Sequence, residues 1–235
     1  MPWSGPACVR CGLPLASEHA LEAETVTCAL CRSEAFDFDR ARSYGLYTGN
    51  LRAVVLLLKF QKRERLGKRL GRLMAGDWTE IESSFAGDDA VLVPVPLHSS
   101  RERERGFNQA ELLAQGLRGA LAKSLGKRAP RVEAGALRRT RATPPQTGLS
   151  ISARRENVRG VFAVSDAAKV RDRMMVLVDD VMTTGATVSA CAAALKSAGA
   201  RAVLALTLAR ATPEFGDFVG SNRPVAIDDF GPPHP

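Results

Sequence analysis

A short, continuously apolar segment that ends in two aspartates is the feature that most restricts the fold of this chain. Residues 174–178 read MMVLV, and DDVMTTGATV follows directly. An apolar run of this length without alternating polar residues is typical of a parallel strand covered on both faces. Helical periodicity follows at 187–198, and a second apolar run covers 203–208. The pattern predicts an α/β domain with a mainly parallel sheet.

Earlier segments continue the alternation of helices and strands. The apolar residues of 51–58 and 66–74 recur at helical spacing, and Asn50 is the predicted N-cap of the first helix. The remaining predicted elements are a hairpin at 36–47, strands at 91–93 and 132–137, a long helix at 107–121 and a short helix at 152–157.

The residues after the apolar run have two interpretations. At the carboxyl end of a parallel strand, Asp179 and Asp180 would reach the edge where ligands bind, and adjacent carboxylates accept hydrogen bonds from a vicinal diol. The threonines and Gly185, at the start of a helix, are suited to bind a phosphate. Together they describe a site for a ribose 5-phosphate. The alternative is an ordinary strand-turn-helix in which an aspartate caps the helix.

Four of the five cysteines lie near the N-terminus, as CVRC (Cys8, Cys11) and CALC (Cys28, Cys31), with sixteen residues between the pairs. This spacing predicts a tetrahedral zinc site, whereas a redox pair is the weaker alternative because the motifs recur as a set. Four thiolates leave no coordination position open, so we expect the zinc to be structural. Cys191 is predicted to belong to the apolar core.

The net charge of +8 is concentrated in two zones. Residues 59–72 contain seven basic residues and one acidic residue, and 118–159 contain eleven basic and two acidic residues. These zones indicate a polyanionic partner, either a phosphorylated small molecule or nucleic acid, unless they are merely solvated faces. Aromatic residues make up 6% of the chain, which argues against a dedicated platform for stacking single-stranded bases.

Membrane insertion is not expected, because the sequence has no run of eighteen apolar residues. The segment MPWSGPACVR lacks the apolar core of a signal peptide. We therefore predict a cytoplasmic location.

Three motifs in a fixed order carry a resemblance to a known family. They are VPVPLHSSRERERGFNQAELLA, LRRTRATPPQTGLSISARRENVRGVF and VLVDDVMTTGATV, and the four-cysteine module precedes them. The last motif resembles the signature with which type I phosphoribosyltransferases bind phosphoribosyl pyrophosphate (PRPP). The whole set is similar to the ComF family of phosphoribosyltransferase-like proteins, which is associated with DNA uptake in natural competence. The most specific short piece is RGFNQ, at 105–109.

The resemblance implies a role for each segment. The aspartates would bind the ribose hydroxyls, and Mg²⁺ would bridge pyrophosphate and ribose. Lys59 matches a family position without an assigned role, and His98 is more readily structural or phosphate-binding than a general base. The implied ligand-binding residues are Asp179 and Asp180 for ribose; Val181, Met182, Thr183, Thr184, Gly185, Ala186 and Thr187 for the 5-phosphate; Pro96, Leu97 and His98, with Arg101 and Arg105, for pyrophosphate; and Arg139 or Arg141, in a flexible loop at 139–150, for the leaving group.

The predicted organisation is a zinc-ribbon-like module at 1–35, a phosphoribosyltransferase-like domain at 36–211 and a C-terminal tail at 212–235. The leading hypothesis is phosphoribosyl transfer from PRPP to an unknown acceptor, linked to DNA uptake. The acceptor would be recognised by the hairpin at 36–48 and the helices up to Trp78. The alternative is a non-catalytic PRPP or nucleotide-binding protein that handles single-stranded DNA.

Overall fold

A parallel sheet of five strands forms the centre of the molecule. The computed structural model describes residues 5–15, 26–33, 35–60, 63–82, 90–144 and 150–212. The strand order is β1-β7-β6-β2-β3, and every neighbouring pair is parallel. A separate antiparallel pair is formed by β4 and β5. The strands are β1 Arg40–Leu46, β2 Ala90–Pro94, β3 Arg131–Val132, β4 Leu137–Arg139, β5 Phe162–Val164, β6 Met174–Met182 and β7 Ala202–Arg210.

Both faces of the sheet are covered, as the apolar run predicts. Successive strand residues point to opposite faces, so Met175 and Leu177 enter one core while Met174, Val176 and Val178 enter the other. All nine residues of β7 are buried. A sheet buried on both faces explains why its central strands have no polar alternation.

Helices form the outer layers. The first core contains α8, whereas the second contains α2, α3, α4 and α6. The helices are α1 Ala29–Ser33, α2 Gly49–Phe60, α3 Glu64–Leu73, α4 Trp78–Glu82, α5 Ser99–Arg105, α6 Gln109–Leu125, α7 Ile151–Val158 and α8 Ala186–Ser197. Within the described ranges, no helix has the length and apolar character needed to cross a membrane.

Helices α3 and α6 pack with their backbones in contact. A Cβ atom on Gly71 would lie 2.1 Å from the Leu113 carbonyl oxygen, and one on Gly116 would lie 2.2 Å from the Lys68 carbonyl oxygen. Only glycine fits at either position. The opposite face of α3 is exposed and basic, and it carries Arg65, Lys68, Arg69 and Arg72.

The predicted hairpin at 36–47 is wrong. The segment contains one strand, β1, which pairs in parallel with β7. Phe36 and Phe38 precede this strand, and their stacked rings are buried with centroids 4.9 Å apart. Gly45 lies inside β1 opposite Ala209 rather than in a turn, and the partner strand is more than 150 residues away.

Three other boundaries differ from the prediction. Helix α2 begins at Gly49, so Asn50 lies inside it rather than at its N-cap. The predicted helix at 107–121 begins at Gln109 and is preceded by a further helix, α5. The predicted strand at 132–137 is divided between β3 and β4, which belong to different sheets. Apart from Thr212, which is buried, the predicted C-terminal tail lies outside the described residues.

Candidate functional site

The two aspartates lie inside β6, near its carboxyl end. The strand continues to Met182, beyond the predicted end at Val178, because β7 pairs with it as far as Arg210. The Asp180 side chain is buried, and its Oδ2 lies 3.1 Å from the Lys59 Nζ atom. Asp179 Oδ1 accepts a hydrogen bond of 2.8 Å from the Asp180 N–H. The structure therefore brings Lys59 of α2 to the carboxylates.

Burial is the main influence on the acidity of Asp179. Desolvation, reinforced by the negative charge of Asp180, raises the pKa of Asp179 to about 7. The cations Lys59 and Arg105 oppose this rise without cancelling it. Near neutral pH, a carboxyl group with this pKa is partly protonated, so it can lose its proton when a hydroxyl donor or a cation binds to it.

The turn after β6 is short. Thr183, Thr184 and Gly185 connect Met182 to the first residue of α8, which is Ala186 rather than the predicted Thr187. Gly185 has a φ of 82°, and an added Cβ would lie 3.0 Å from the Met182 Cε atom. The positive φ favours glycine here, and a side chain would also crowd the end of Met182. The Thr184 hydroxyl accepts a hydrogen bond of 3.4 Å from the Ala186 N–H.

The segment after β2 lies beside the carboxyl-terminal part of β6. The Val95 N–H donates to the Val178 carbonyl over 2.9 Å, so Pro96, which is buried, and Leu97, which is half-buried, continue alongside the aspartates. His98 is the N-cap of α5, and its Nδ1 atom lies 3.3 Å from the Ser100 N–H and 2.8 Å from the Ser100 hydroxyl. This cap is a structural role for the imidazole.

The RGFNQ motif fixes the start of α6 to the end of β2. Asn108 caps α6 by accepting from the Ala110 N–H over 3.0 Å, and its Nδ2 donates to the Val95 carbonyl over 3.1 Å. Arg105 donates to the Oε1 atom of buried Gln109 over 2.8 Å. The motif thus positions one arginine at the edge where the aspartates lie.

The structure separates the two loop arginines. Arg139, at the end of β4, lies over the Phe162 ring at 5.5 Å and donates to the Thr143 hydroxyl. Burial lowers the pKa of Arg139, and the charge of Arg101 lowers it further, while Asp179 acts in the opposite direction. Arg141 instead donates to the Arg159 carbonyl over 3.2 Å. The charges of Arg101 and Asp179 thus act on Arg139, so we group Arg139 with these two residues in the candidate site. Residues 145–149 of the predicted flexible loop lie outside the described residues.

The four N-terminal cysteines form one buried cluster. All four Sγ atoms lie within 4.8 Å of one another, and the Cys11 and Cys28 sulfurs are 3.6 Å apart. A tetrahedral site with Zn–S bonds of about 2.3 Å separates its sulfurs by roughly 3.8 Å, so the cluster fits such an ion. A hydrogen bond from Cys11 lowers the pKa of Cys8 to about 4, while burial raises that of Cys31 to about 12. Cys191 is separate and buried in the core, as predicted.

Arg210 is a site residue that the sequence interpretation did not find. Its guanidinium is buried and donates to the Met182 carbonyl over 2.9 Å and to the Thr183 carbonyl. Its Nη2 atom lies 3.8 Å from the Cys11 sulfur. The sequence feature that could have revealed it is an arginine at the end of the apolar run AVLALTLAR, because a charge buried there requires partners.

Known proteins resemble this chain over most of its length. The phosphoribosyl transferase domain family matches residues 105–219. The DNA utilization protein YhgH of Escherichia coli K12 is 33% identical over 205 residues, which cover 86% of this chain and 83% of that protein. The chain belongs to the ComF family. A second ComF-family relative, competence protein F of Haemophilus influenzae, is 29% identical over 212 residues, which cover 88% of this chain and 86% of the relative.

The ComF assignment agrees with the parallel sheet and with the strand-turn-helix at Asp179. A solved structure, the Bacillus subtilis glutamine PRPP amidotransferase complexed with ADP and GMP, is 22% identical and has a TM-score of 0.37. It covers 60% of this chain and 25% of its own, and so distant a match carries no argument. The family resemblance, the type I phosphoribosyltransferase-like fold and the close grouping of the four cysteines are thus confirmed.

Proposed function

We propose that this ComF-family protein binds PRPP with Mg²⁺ and transfers the phosphoribosyl group to an acceptor, releasing pyrophosphate. The observation that carries the proposal is the edge at which Asp179, Asp180 and the turn 183–185 meet cations from three other segments. Lys59 contacts Asp180, and the charges of Arg105 and Arg139 act on Asp179. This distribution matches a ligand with a neutral diol between two anionic groups.

The ribose end would be held by β6 and the following turn. The two carboxylates would accept hydrogen bonds from the 2- and 3-hydroxyls of ribose. The residues 181–187 would surround the 5-phosphate, with N–H groups at the start of α8 and the positive end of the helix directed at it. Lys59, which contacts Asp180 in the free protein, would exchange that contact for an interaction with the ligand.

The pyrophosphate end would lie against 96–98, with Arg101, Arg105 and Arg139 as cations. In the transfer, an acceptor atom bonds to C1 of ribose while the C1–O bond to pyrophosphate breaks and its electron pair leaves with the pyrophosphate. The transition state has oxocarbenium character, so stabilising the departing polyanion matters more than supplying a base. When bound, Mg²⁺ would neutralise pyrophosphate charge, and the carboxylates could share in its coordination. Arg141 and His98 are secondary candidates, because their described contacts are structural.

The wider role that we propose is in the use or uptake of DNA, in the cytoplasm. The names of the relatives, DNA utilization protein and competence protein F, support this role. We assign structural zinc to the four cysteines, since the sulfur spacing fits a tetrahedral ion. Thiolate ligands need a reducing compartment, which is consistent with the cytoplasm.

A second candidate function is binding of single-stranded DNA without turnover. The exposed basic face of α3 favours it, because packing against α6 through glycine keeps this face turned outward. The affinity of such electrostatic binding falls steeply as the salt concentration rises, and it depends little on the DNA sequence.

A thermal-shift experiment tests PRPP binding. PRPP with Mg²⁺ is expected to raise the melting temperature of the wild type, and the double variant Asp179→Asn, Asp180→Asn is expected to lose the increase. Asp172→Asn is the control, since Asp172 is exposed and lies before β6. An undiminished shift in the double variant would disprove the assignment of the diol site.

Pyrophosphate release separates the two functions. PRPP is incubated with a panel of nucleobases and other amines, and pyrophosphate is measured. Release that depends on one acceptor supports transfer. Tight PRPP binding with no release, together with DNA binding weakened by Arg69→Glu and by salt, supports the second candidate.

A further inference from the structure

The side chain of Arg210 joins two parts of the molecule that are far apart in sequence. It lies at the end of β7, with its guanidinium between the turn after β6 and the cysteine cluster. Only 2% of its surface is exposed. A buried guanidinium is stable only where its charge and its N–H groups have partners.

On one side, Arg210 donates to the turn. Its Nη1 atom donates to the carbonyls of Met182 and Thr183, and also lies 3.4 Å from the Ala211 carbonyl. The Met182 carbonyl accepts a second hydrogen bond, of 2.9 Å, from the Ala211 N–H. The Nη1 atom thus holds the carbonyl of Met182, which ends β6, and that of Thr183, which begins the turn, in a single orientation.

This orientation determines where the N–H groups of the turn point. In a trans peptide unit the carbonyl and the N–H point in opposite directions, and the described residues contain no cis peptide. The carbonyls of Met182 and Thr183 face Arg210, so the N–H groups of Thr183 and Thr184 face away from it. These are the groups that the proposed 5-phosphate site requires.

On the other side, Arg210 meets sulfur. Its Nη2 atom lies 3.8 Å from the Cys11 sulfur. No carboxylate in the described part of the chain forms an ion pair with it. Four thiolates around one Zn²⁺ carry a net charge of −2, so the loaded cluster would supply the anion that this buried cation lacks.

We propose that Arg210 is a positioning residue that sets the peptide planes of the phosphate turn and couples that turn to the metal state of the cysteine cluster. The proposal rests on the proposed function, because it assumes that the turn binds a 5-phosphate. Loss of the metal would remove the counter-charge of Arg210 and disturb the turn, and a phosphate bound at the turn would change the environment of the thiolates. Such coupling is reciprocal by thermodynamic necessity.

Calorimetry with two probes tests the positioning role. Arg210→Met is expected to weaken ribose 5-phosphate binding roughly tenfold or more, the loss of one or two phosphate hydrogen bonds, and to change inorganic pyrophosphate binding less than twofold. Arg210→Lys, which keeps the charge, should recover part of the affinity. Arg201→Met, an exposed arginine just before β7, is the matched control.

A spectroscopic measurement on the unmutated chain covers the case in which Arg210 variants do not fold. With Co²⁺ in place of zinc, addition of ribose 5-phosphate is expected to shift the thiolate-to-cobalt absorption, whereas pyrophosphate should not. An unchanged spectrum at saturating ribose 5-phosphate overturns the coupling. Equal affinity of the wild type and Arg210→Met for ribose 5-phosphate, or equal weakening of both probes, overturns the positioning role alone. A wild type that does not bind ribose 5-phosphate overturns the proposed function, and this inference with it.

Discussion

The affinity of the site for a ribose phosphate should rise with pH, and Asp179 should be the cause. Its pKa is raised to about 7, mainly by burial and then by the charge of Asp180. The ionised carboxylate is the form that accepts hydrogen bonds from ribose hydroxyls. The protonated form must release its proton before it can do so with both oxygens.

The magnitude follows from the fraction of Asp179 that is ionised. With this pKa, roughly one tenth is ionised at pH 6 and roughly nine tenths at pH 8. The apparent Kd equals the intrinsic Kd divided by the competent fraction, so it should fall by about tenfold between pH 6 and pH 8.

Calorimetry with ribose 5-phosphate and Mg²⁺ at pH 6, 7 and 8 measures this change. The ligand also titrates, because a phosphate monoester has a second pKa of about 6. Asp179→Asn provides the correction, since the variant keeps the titration of the ligand and loses that of the side chain. Binding near pH 7 should also release protons in the wild type, seen as a heat that depends on the ionisation enthalpy of the buffer. Identical pH slopes for wild type and variant would refute the role of Asp179.

Three further outcomes follow from the structure. Because the folded pKa of Asp179 lies above its ordinary value, its favourable contribution to stability is complete below about pH 4 and is lost as pH rises through 7. Without ligand, Asp179→Asn should therefore raise the melting temperature at pH 8, because it removes a buried negative charge. The increase should be roughly 2–4 °C for each kcal/mol gained in the free energy of unfolding, and it should shrink toward pH 5. An increase that does not depend on pH would contradict this. Gly71→Ala should lower the free energy of unfolding by about 1–3 kcal/mol in urea titrations, because the added Cβ would meet the Leu113 carbonyl. The control Gly119→Ala should raise it by about 0.5–1 kcal/mol, because an added Cβ at this position in α6 has open space. Metal analysis should find one zinc per chain and none after Cys28→Ser; zinc-free protein with an unaltered fold would disprove the structural site.

The local sequence predicts the structure correctly where the residues of a segment themselves determine it. The apolar run of β6 predicts a doubly covered strand because both of its faces are enclosed. The spacing of the cysteines predicts their cluster, because two-residue knuckles place pairs of sulfurs close together.

Local sequence was insufficient where distant partners decide the structure. The end of β6 is set by the length of β7, and the structure of residues 36–47 is set by a strand far along the chain. Helix α5, SSRERER, has no buried residue and so no apolar periodicity to reveal it. Arg210 could not be assigned, because the carbonyls and the thiol that it contacts come from two segments that are distant from it in sequence. The roles of the individual site residues stay predictions.

The pairing of β1 with β7 has a consequence for the order in which the chain can fold during synthesis. The cysteine segment precedes β1 in the chain, and the Ala41 N–H of β1 donates to the Arg10 carbonyl of that segment over 2.7 Å. The inner edge of β1 nevertheless has no strand to join until residues 202–210 have been made. Strand β1 must therefore wait for β7, and its inner edge stays unpaired while the intervening residues are made. A nascent chain halted before residue 202 should bind chaperones and should be cleaved readily near β1. Once eight or nine more residues have left the ribosome, chaperone binding and cleavage should both stop.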